Sequence, residues 1–267
     1  EEDLKMVYAV FILVSFGASI IGAICGIGGG VIIKPTLDAF GLLEVSAINF
    51  MSGCTVLAMS CYSVVRSKLS GSSKVDMKIG TPLAIGAAVG GILGKSLFQM
   101  VEGLFSDKNT AGAVQAACLA LITVGTLIYT IKKDKIKTHN IQNIAVCLVI
   151  GLALGVMSSF LGIGGGPINL VVLYFFFSMT TKVAAQNSLY IILFSQATSF
   201  LSTVVTGSVP QVNVLLLFGM IISGILGGMA GRSVNKKLDD KMVDKLFIGL
   251  MAVIILINIY NVITLGF

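Results

Sequence analysis

The chain has 267 residues, of which 56% are hydrophobic and 11% are charged, and its formal net charge is +6. Soluble domains carry about 25% charged residues, so the composition excludes an ordinary soluble domain and predicts an all-α polytopic protein that crosses the lipid bilayer of the cell membrane many times. The positive charge does not indicate nucleic acid as a partner, because the basic residues cluster in loops between apolar segments, as the positive-inside rule describes.

Ten apolar segments follow one another along the chain, and about eight of them are long enough to cross a hydrocarbon core of about 30 Å. Two segments, 31–43 and 167–179, are too short to cross comfortably, and we expect them to be half-helices or re-entrant pieces. The predicted segments are 6–24, 31–43, 46–65, 77–98, 111–131, 141–161, 167–179, 183–206, 212–231 and 243–266.

Both short segments follow the same five residues, Gly-Ile-Gly-Gly-Gly, at 26–30 and 162–166. Two further matches occur in the same order: Ala47-Ile48-Asn49 with Ala185-Gln186-Asn187, and the stretch 91–96 with the stretch 228–233. Three colinear matches at a nearly constant separation predict a duplicated unit. The first repeat spans residues 1–131, a basic linker spans 132–140, and the second repeat spans 141–267.

Charge predicts how the two repeats lie in the membrane. The loop 66–78, the linker and the stretch 232–245 are rich in lysine and arginine, whereas 99–110 and 207–211 are not. With the three basic regions in the cytoplasm, an even number of crossings must separate the linker from 232–245. Segment 167–179 then counts as one return toward the cytoplasm. Each half has five segments, the second half is inverted relative to the first, and both termini lie outside the cytoplasm.

The repeated glycines have three alternative purposes: close helix packing, a plain turn, or a backbone nest whose free N–H groups point at an anion from the start of a half-helix. Irregular backbone within a bilayer is tolerated only where protein buries it or water lines it. Transporters with inverted repeats place paired broken helices around a central site. Over packing alone we therefore favour an anion site formed by the N–H groups of Gly28, Gly29, Gly30, Gly164, Gly165 and Gly166.

The segments that follow the short ones carry stripes of polar residues. Such side chains form hydrogen bonds between helices, or they line a substrate path, and their equivalent places in the repeat favour the second alternative. The side chains predicted to bind the substrate are Asn49, Ser52, Gln186, Asn187 and Ser188.

Three basic residues within or beside the apolar segments have two interpretations each. Lys34 lies inside a short segment, so it either contacts an anion or snorkels to the membrane interface. Lys95 and Arg232 occupy matching positions in the repeat and lie at opposite membrane ends in the predicted topology. They attract anions at the two mouths, or they are ordinary interfacial anchors, which we slightly favour.

The two glycine pentapeptides, together with Pro35 and Leu37 after the first, resemble the sulfite exporter TauE/SafE family, also called the 4-toluene sulfonate uptake permease family. The resemblance covers nearly the whole chain. It implies a duplicated membrane protein that moves sulfite, sulfonates, sulfoacetate or related sulfur-containing anions. One departure is that Pro167 directly follows the second set of glycines, whereas Val171 stands where the first copy has Pro35.

The resulting hypothesis is a secondary transporter that moves a small organic or inorganic oxyanion by alternating access, with a proton or sodium ion as candidate coupling ion. The alternative is an anion channel, which would show no counterflow. A membrane enzyme has no support in the sequence, because no cluster of histidine, cysteine or carboxylate residues lies in the apolar segments. We expect neither a cofactor nor a metal site.

Overall fold

The computed structural model describes residues 2–105 and 108–266, and the regular elements in these ranges are all helical. Each of the ten predicted segments corresponds to one α-helix, which confirms the all-α fold. The elements are α1 Glu2–Cys25, α2 Gly30–Phe40, α3 Val45–Leu69, α4 Met77–Leu104, α5 Lys108–Lys132, a 3-10 turn at Lys133–Lys135, α6 Ile144–Phe160, α7 Pro167–Phe177, α8 Thr181–Val205, α9 Val214–Asn235 and α10 Asp240–Gly266.

Seven of the described helices are long and apolar enough to cross a membrane, judged by length and composition: α1, α3, α4, α5, α8, α9 and α10. Helix α6 is shorter than predicted, with 17 residues, because it starts only after its cap at Asn143. The two short helices, α2 and α7, have 11 residues each. At a rise of about 1.5 Å per residue they reach roughly half of a hydrocarbon core. The chain is therefore a multi-pass membrane protein with two helices of half length.

Side-chain caps fix where four of the described helices begin. Asp239 accepts a 2.7 Å hydrogen bond from the Met242 N–H at the start of α10. Asp76 accepts a 2.9 Å hydrogen bond from the Lys78 N–H at the start of α4, and Asn213 accepts one of 3.0 Å from the Leu215 N–H at the start of α9. Asn143 caps α6 in the same way. These caps satisfy backbone donors that have no partner within the helix. The caps of α4 and α9 stand at corresponding places in the two repeats.

Helix α4 packs along α6 through glycines. A Cβ atom on Gly90 or Gly94 would overlap the carbonyl oxygens of Leu152 and Val156 on α6. Because neither glycine has a side chain, the two backbones lie in direct contact, as is common between helices in membranes.

Helix α9 packs along α1 in the corresponding way. A Cβ atom on Gly227 would meet the carbonyl oxygen of Phe16, and one on Gly231 would overlap that of Ile20. Gly227 and Gly231 are the counterparts of Gly90 and Gly94 in the duplicated sequence. Glycines at corresponding positions of the two predicted repeats therefore make the same kind of contact, each with a backbone carbonyl of a neighbouring helix.

The three basic regions meet at one end of the molecule, which we call the basic end. The guanidinium of Arg232 donates to the hydroxyls of Ser70 and Ser72 in the α3–α4 loop. Lys133, just after α5, forms an ion pair of 2.5 Å with Asp244 near the start of α10. The predicted clustering of the basic regions on one side is consistent with these contacts.

The short helix α7 also ends at the basic end. The N–H of His139 in the linker donates to the Phe175 carbonyl at 2.7 Å, and the N–H of Ile141 donates to that of Phe176 at 3.0 Å. Helix α7 thus returns to the linker that precedes α6, as the predicted topology requires of this segment.

Candidate functional site

The two glycine loops touch each other in the interior of the helical bundle. A Cβ atom on Gly28 would lie 3.6 Å from the Gly164 carbonyl oxygen, and one on Gly30 would overlap the Ile163 carbonyl. Gly28 and Gly164 both have a φ of 70°, a conformation that glycine adopts without steric cost. The two Gly-Ile-Gly-Gly-Gly stretches therefore form one central contact between the two halves of the chain.

Two apolar side chains cover this contact. Val56 of α3 and Ile192 of α8 are both fully buried. A Cβ atom on Gly28 would lie 3.2 Å from Val56 Cγ1 and 3.5 Å from Ile192 Cδ1. A side chain on Gly165 would also collide with Ile192. The centre of the molecule is thus closed by the glycine loops together with these two residues.

Several N–H groups of the glycine loops form no hydrogen bond within the described ranges. They belong to Gly28, Gly29, Gly164 and Gly165. Unpaired donors at the starts of α2 and α7 have the chemistry of an anion-binding nest. The two cavities described below are not lined by any of the six predicted glycines, so the nest stays a prediction.

A cavity of about 240 Å³, which we call the basic cavity, lies between α3, α8 and α9 near the basic end. Of the described residues that line it, four are cationic and none is acidic. The cationic residues are Lys74, Lys182, Arg232 and Lys236, and the polar ones are Ser63, Ser67, Ser72, Gln186 and Asn235. Such a lining attracts anions, because each positive charge lowers the electrostatic energy of a negative group nearby.

Arg232 is the most firmly held of these cations. Its Nη1 donates to the Ser63 carbonyl at 3.0 Å, and its Nη2 donates to Ser70 Oγ at 3.1 Å and to Ser72 Oγ at 2.8 Å. In the described part of the chain it forms no ion pair with a carboxylate. A guanidinium has five N–H donors, so Arg232 keeps donors and its full charge for a ligand.

The predicted residues Gln186 and Asn187 form hydrogen bonds that fix one wall of the basic cavity. Gln186 Oε1 accepts from the Lys74 N–H at 2.7 Å and from the Ser67 hydroxyl at 3.4 Å. Asn187 is buried, and its amide bonds to the Asp76 N–H and the Lys74 carbonyl. Of the two, only Gln186 lines the cavity. Asn187 anchors the loop that carries Lys74.

The remaining predicted polar residues lie deeper in the bundle. Ser188 is buried and accepts a hydrogen bond of 3.4 Å from the Asn169 amide. Ser52 is also buried, and its hydroxyl has no partner among the described residues. Asn49 lies on the other side of the central contact, where its amide donates to Gln115 Oε1 at 3.4 Å. The structure therefore does not gather Asn49, Ser52, Gln186, Asn187 and Ser188 around one cavity.

Lys34 forms an ion pair with Asp38, four residues later on α2. Both residues are almost completely buried. A buried charge requires a partner, because transfer of an unpaired ion out of water is costly. Lys34 does not snorkel to the membrane interface, and it lines neither of the two cavities. Its predicted contact with an anion stays a prediction.

A second cavity, which we call the aromatic cavity, lies on the side of the central contact away from the basic end and measures about 40 Å³. The rings of Phe50 and Phe200 are stacked there with centroids 6.0 Å apart. Lys95 is the only cation among the described residues of its lining, and its ammonium lies 5.7 Å from the centroid of the Phe98 ring. This space accommodates roughly one or two water molecules.

The two cavities are built from corresponding positions of the two predicted repeats. Nine lining positions of the basic cavity have their counterparts in the lining of the aromatic cavity, at a separation of 136 or 137 residues. The pairs are Ala23 with Ser159, Ser63 with Ser199, Val64 with Phe200, Ser67 with Thr203, Ala185 with Asn49, Gln186 with Phe50, Leu189 with Gly53, Arg232 with Lys95, and Asn235 with Phe98.

These contacts correct one of the three predicted sequence matches. A Cβ atom on Gly26 would overlap Ala185, and one on Gly162 would overlap the side chain of Asn49. Asn49 therefore corresponds to Ala185 and not to Asn187. An alignment by residue type alone pairs Asn49 with Asn187. That pairing is two residues away from the one that the contacts give.

None of the four cations of the basic cavity was among the predicted site residues, since Arg232 was slightly favoured as an interfacial anchor. The other three are Lys74, Lys182 and Lys236. They come from the α3–α4 loop, the start of α8 and the end of α9. In the sequence these residues are recognisable as basic residues beside membrane spans. That placement does not show which of them come together in the folded protein. For Arg232, the anion-attracting interpretation gains support over the interfacial anchor, because the residue lines the cavity.

The helical bundle, its two half-length helices and its paired cavities define a multi-pass membrane protein of the transporter class. Comparison with known families specifies it further: the profile described as "Sulfite exporter TauE/SafE" matches residues 11–257. The chain belongs to this family and is a membrane transporter.

Curated relatives support the assignment. The chain is 22% identical to "Probable membrane transporter protein YunE" of Bacillus subtilis (strain 168), over 76% of this chain and 81% of the relative. It is 29% identical to a "Probable membrane transporter protein" of Haemophilus influenzae, over 58% of each chain. It is 23% identical to "Probable membrane transporter protein MJ0441" of Methanocaldococcus jannaschii, over 65% of this chain and 64% of the relative. No solved structure matches the chain.

Proposed function

We propose that this protein is a secondary transporter that moves small sulfur-containing oxyanions, of the sulfite, sulfonate or sulfoacetate class, across the cell membrane by alternating access. The observation that carries the proposal is the basic cavity, whose lining, in the part of the chain that the structure describes, has four cations and no carboxylate. Its volume of about 240 Å³ suits a small organic or inorganic anion.

Arg232 is the central contact in this proposal. A guanidinium donates charge-assisted hydrogen bonds to oxyanions such as carboxylate and phosphate, and Arg232 keeps its Nε–H and one Nη1–H for the oxygen atoms of a sulfonate or sulfite group. At an effective dielectric constant of about 20, two unit charges 4 Å apart attract by about 4 kcal/mol before desolvation. A hydrogen bond to a charged group retains about 1.5–3 kcal/mol of this. The free Nε2 of Gln186 and the hydroxyl of Ser63 would supply neutral hydrogen bonds.

The positive-inside rule places the basic end in the cytoplasm, so the basic cavity would open toward the cytoplasm. We propose that the two halves are inverted relative to each other. In support, the amide of Asn235 donates to the Ile24 carbonyl at the last turn of α1, whereas α6, the counterpart of α1, begins at the linker. Helices α1 and α6 thus meet the basic end with opposite termini.

Alternating access gains support from the unequal sizes of the two cavities. The cavity with four cations measures about 240 Å³, and its repeat counterpart measures about 40 Å³. Val56, Ile192 and the two glycine loops fill the space between them. An open anion channel needs a continuous polar path, so a closed centre favours the transporter over the channel. In this scheme the six glycines, with Asn49, Ser52 and Ser188, would reach the anion only when the centre rearranges.

Binding of candidate anions to the purified protein tests the proposal. Calorimetric titration with sulfite, thiosulfate, sulfoacetate, taurine and sulfate should show saturable binding of at least one sulfur oxyanion. The same ligand should bind more weakly to the Arg232→Gln variant. If none of the five ligands binds to protein that is monodisperse, the proposed substrate class is wrong.

A further inference from the structure

The aromatic cavity carries features that a merely packed crevice does not need. The oxygen atoms Asn49 Oδ1 and Ser159 Oγ are buried there and have no partner among the described residues. Buried polar atoms are normally satisfied by protein or by ordered water. Lys95 adds a positive charge to this cavity. Among the described residues, no carboxylate lies within ion-pair distance of its ammonium group. Its ammonium lies 5.7 Å from the centroid of the Phe98 ring and also interacts electrostatically with the Glu102 carboxylate.

The counterparts of these residues show what distinguishes the two cavities. Lys95 corresponds to Arg232, and Phe200 and Phe50 correspond to Val64 and Gln186. Two rings therefore occupy the places that a smaller aliphatic chain and a polar amide occupy in the basic cavity. The rings line a space of about 40 Å³, compared with about 240 Å³ on the basic side, and each lining contains a cation at the corresponding position.

We propose that the aromatic cavity is the closed second entrance of the transport path. When the stacked rings of Phe50 and Phe200 separate, a sulfur oxyanion binds there to Lys95, as it binds to Arg232 on the basic side. This inference rests on the proposed transport function and adds an anion site and a gate to it. The polar atoms of Asn49 and Ser159 are the hydrogen-bonding groups that the open site offers to the anion or to its water.

The gate is tested by cysteine accessibility. A Ser199→Cys reporter is placed in a background in which Cys54, which lines the same cavity, is replaced by serine. A membrane-impermeant methanethiosulfonate is then applied from the side away from the basic end. An aromatic pair contributes about 0.5–1.5 kcal/mol, so Phe200→Ala should raise the labelling rate about twofold to tenfold. The matched change in the basic cavity, Val64→Ala, should not raise it.

The anion site is tested by sided uptake into oriented proteoliposomes. Lys95→Gln should raise the half-saturating sulfite concentration on the side away from the basic end by about tenfold, with equilibrium binding from the basic side unchanged. Lys95→Arg should restore most of the affinity. If the unmodified protein transports sulfite but Lys95→Gln has normal half-saturation on both sides, or Phe200→Ala leaves labelling unchanged, the inference is overturned and the proposed function stands. Absence of transport by the unmodified protein would instead overturn the proposed function.

Discussion

Arg232 on α9 donates a 3.0 Å hydrogen bond to the backbone carbonyl of Ser63 on α3, and this bond ties two helices together at the wall of the basic cavity. The hydroxyls of Ser70 and Ser72 fix the other end of the same guanidinium. A cation whose position is fixed before a ligand arrives loses less conformational entropy on binding. Arg232 is therefore preorganised to bind an anion.

Replacement of Arg232 should weaken anion binding. Arg232→Gln removes the charge and the guanidinium donors, and the loss of a charged hydrogen bond of about 1.5–3 kcal/mol predicts a Kd roughly 10- to 150-fold higher. Arg232→Lys keeps the charge but not the planar donors, so an intermediate Kd is expected. Isothermal titration with the best-binding sulfur oxyanion measures both.

Lys68→Gln is the matched control for Arg232. Lys68 is exposed at the same end of the molecule and does not line the basic cavity. Lys68→Gln lowers the net charge by the same amount as Arg232→Gln. It therefore separates a direct contact with the anion from general electrostatic attraction. Equal weakening by Lys68→Gln and Arg232→Gln would argue against a site at Arg232.

The buried pair on α2 should contribute to stability. Lys34→Gln leaves the Asp38 carboxylate buried without its partner, and removal of one member of a buried ion pair costs about 3–5 kcal/mol. The variant should lose its monodisperse chromatographic peak at a lower temperature than the unmodified protein. The double variant Lys34→Gln with Asp38→Asn should recover much of the difference, because no unpaired charge remains.

Ligand titration of the same Lys34→Gln protein decides between the two roles of this lysine. A structural ion pair predicts a Kd within about twofold of normal for the folded fraction. A variant with unchanged thermal stability and a Kd raised by about tenfold or more would instead place the ammonium in contact with the anion.

The glycine contacts between α4 and α6 should resist enlargement. In Gly90→Ala the new methyl group would overlap backbone atoms of α6, and overpacking of this kind costs about 1–3 kcal/mol. The better helix propensity of alanine offsets at most about 1 kcal/mol of this cost. We therefore expect a lower midpoint of thermal unfolding. Gly125→Ala on α5, where nothing lies within 4 Å, should leave the midpoint unchanged or raise it.

The predicted topology is checked by labelling from each side of the membrane. Lys135→Cys in the linker should react with an impermeant thiol reagent only from the cytoplasm. Val209→Cys in the α8–α9 loop should react only from outside. Both residues are exposed, and Cys61, the one native cysteine that is exposed, is replaced by serine in both proteins. Labelling of both positions from the same side would contradict the inverted arrangement.

Much of the fold could be predicted from the sequence because the lipid bilayer imposes simple rules. Each span must be a long apolar helix, and the repeated glycines before 31–43 and 167–179 indicated where two helices are interrupted. The candidate site could be predicted only in part. Its cations lie on segments far apart in sequence, and which of them converge depends on how α3, α8 and α9 pack.

Two residues illustrate what residue type alone does not show. Lys34 is a charge in an apolar segment, which favours a functional role, but its spacing of four from Asp38 also fits a helical ion pair, and the structure contains that pair. Asn187 is a polar residue in a matched stretch, yet its amide is used by the Lys74 backbone. In both cases the structure gives the polar group a local partner, which residue type alone does not reveal.

Counterflow in proteoliposomes tests the central claim most directly. Vesicles that contain the purified protein are loaded with unlabelled sulfite and diluted into a trace of labelled sulfite, with Arg232→Gln protein as the matched control. A secondary transporter predicts a transient accumulation of label above equilibrium that saturates with substrate concentration and is strongly reduced in the control. Flux that equilibrates without overshoot and does not saturate would contradict the account and identify an anion channel.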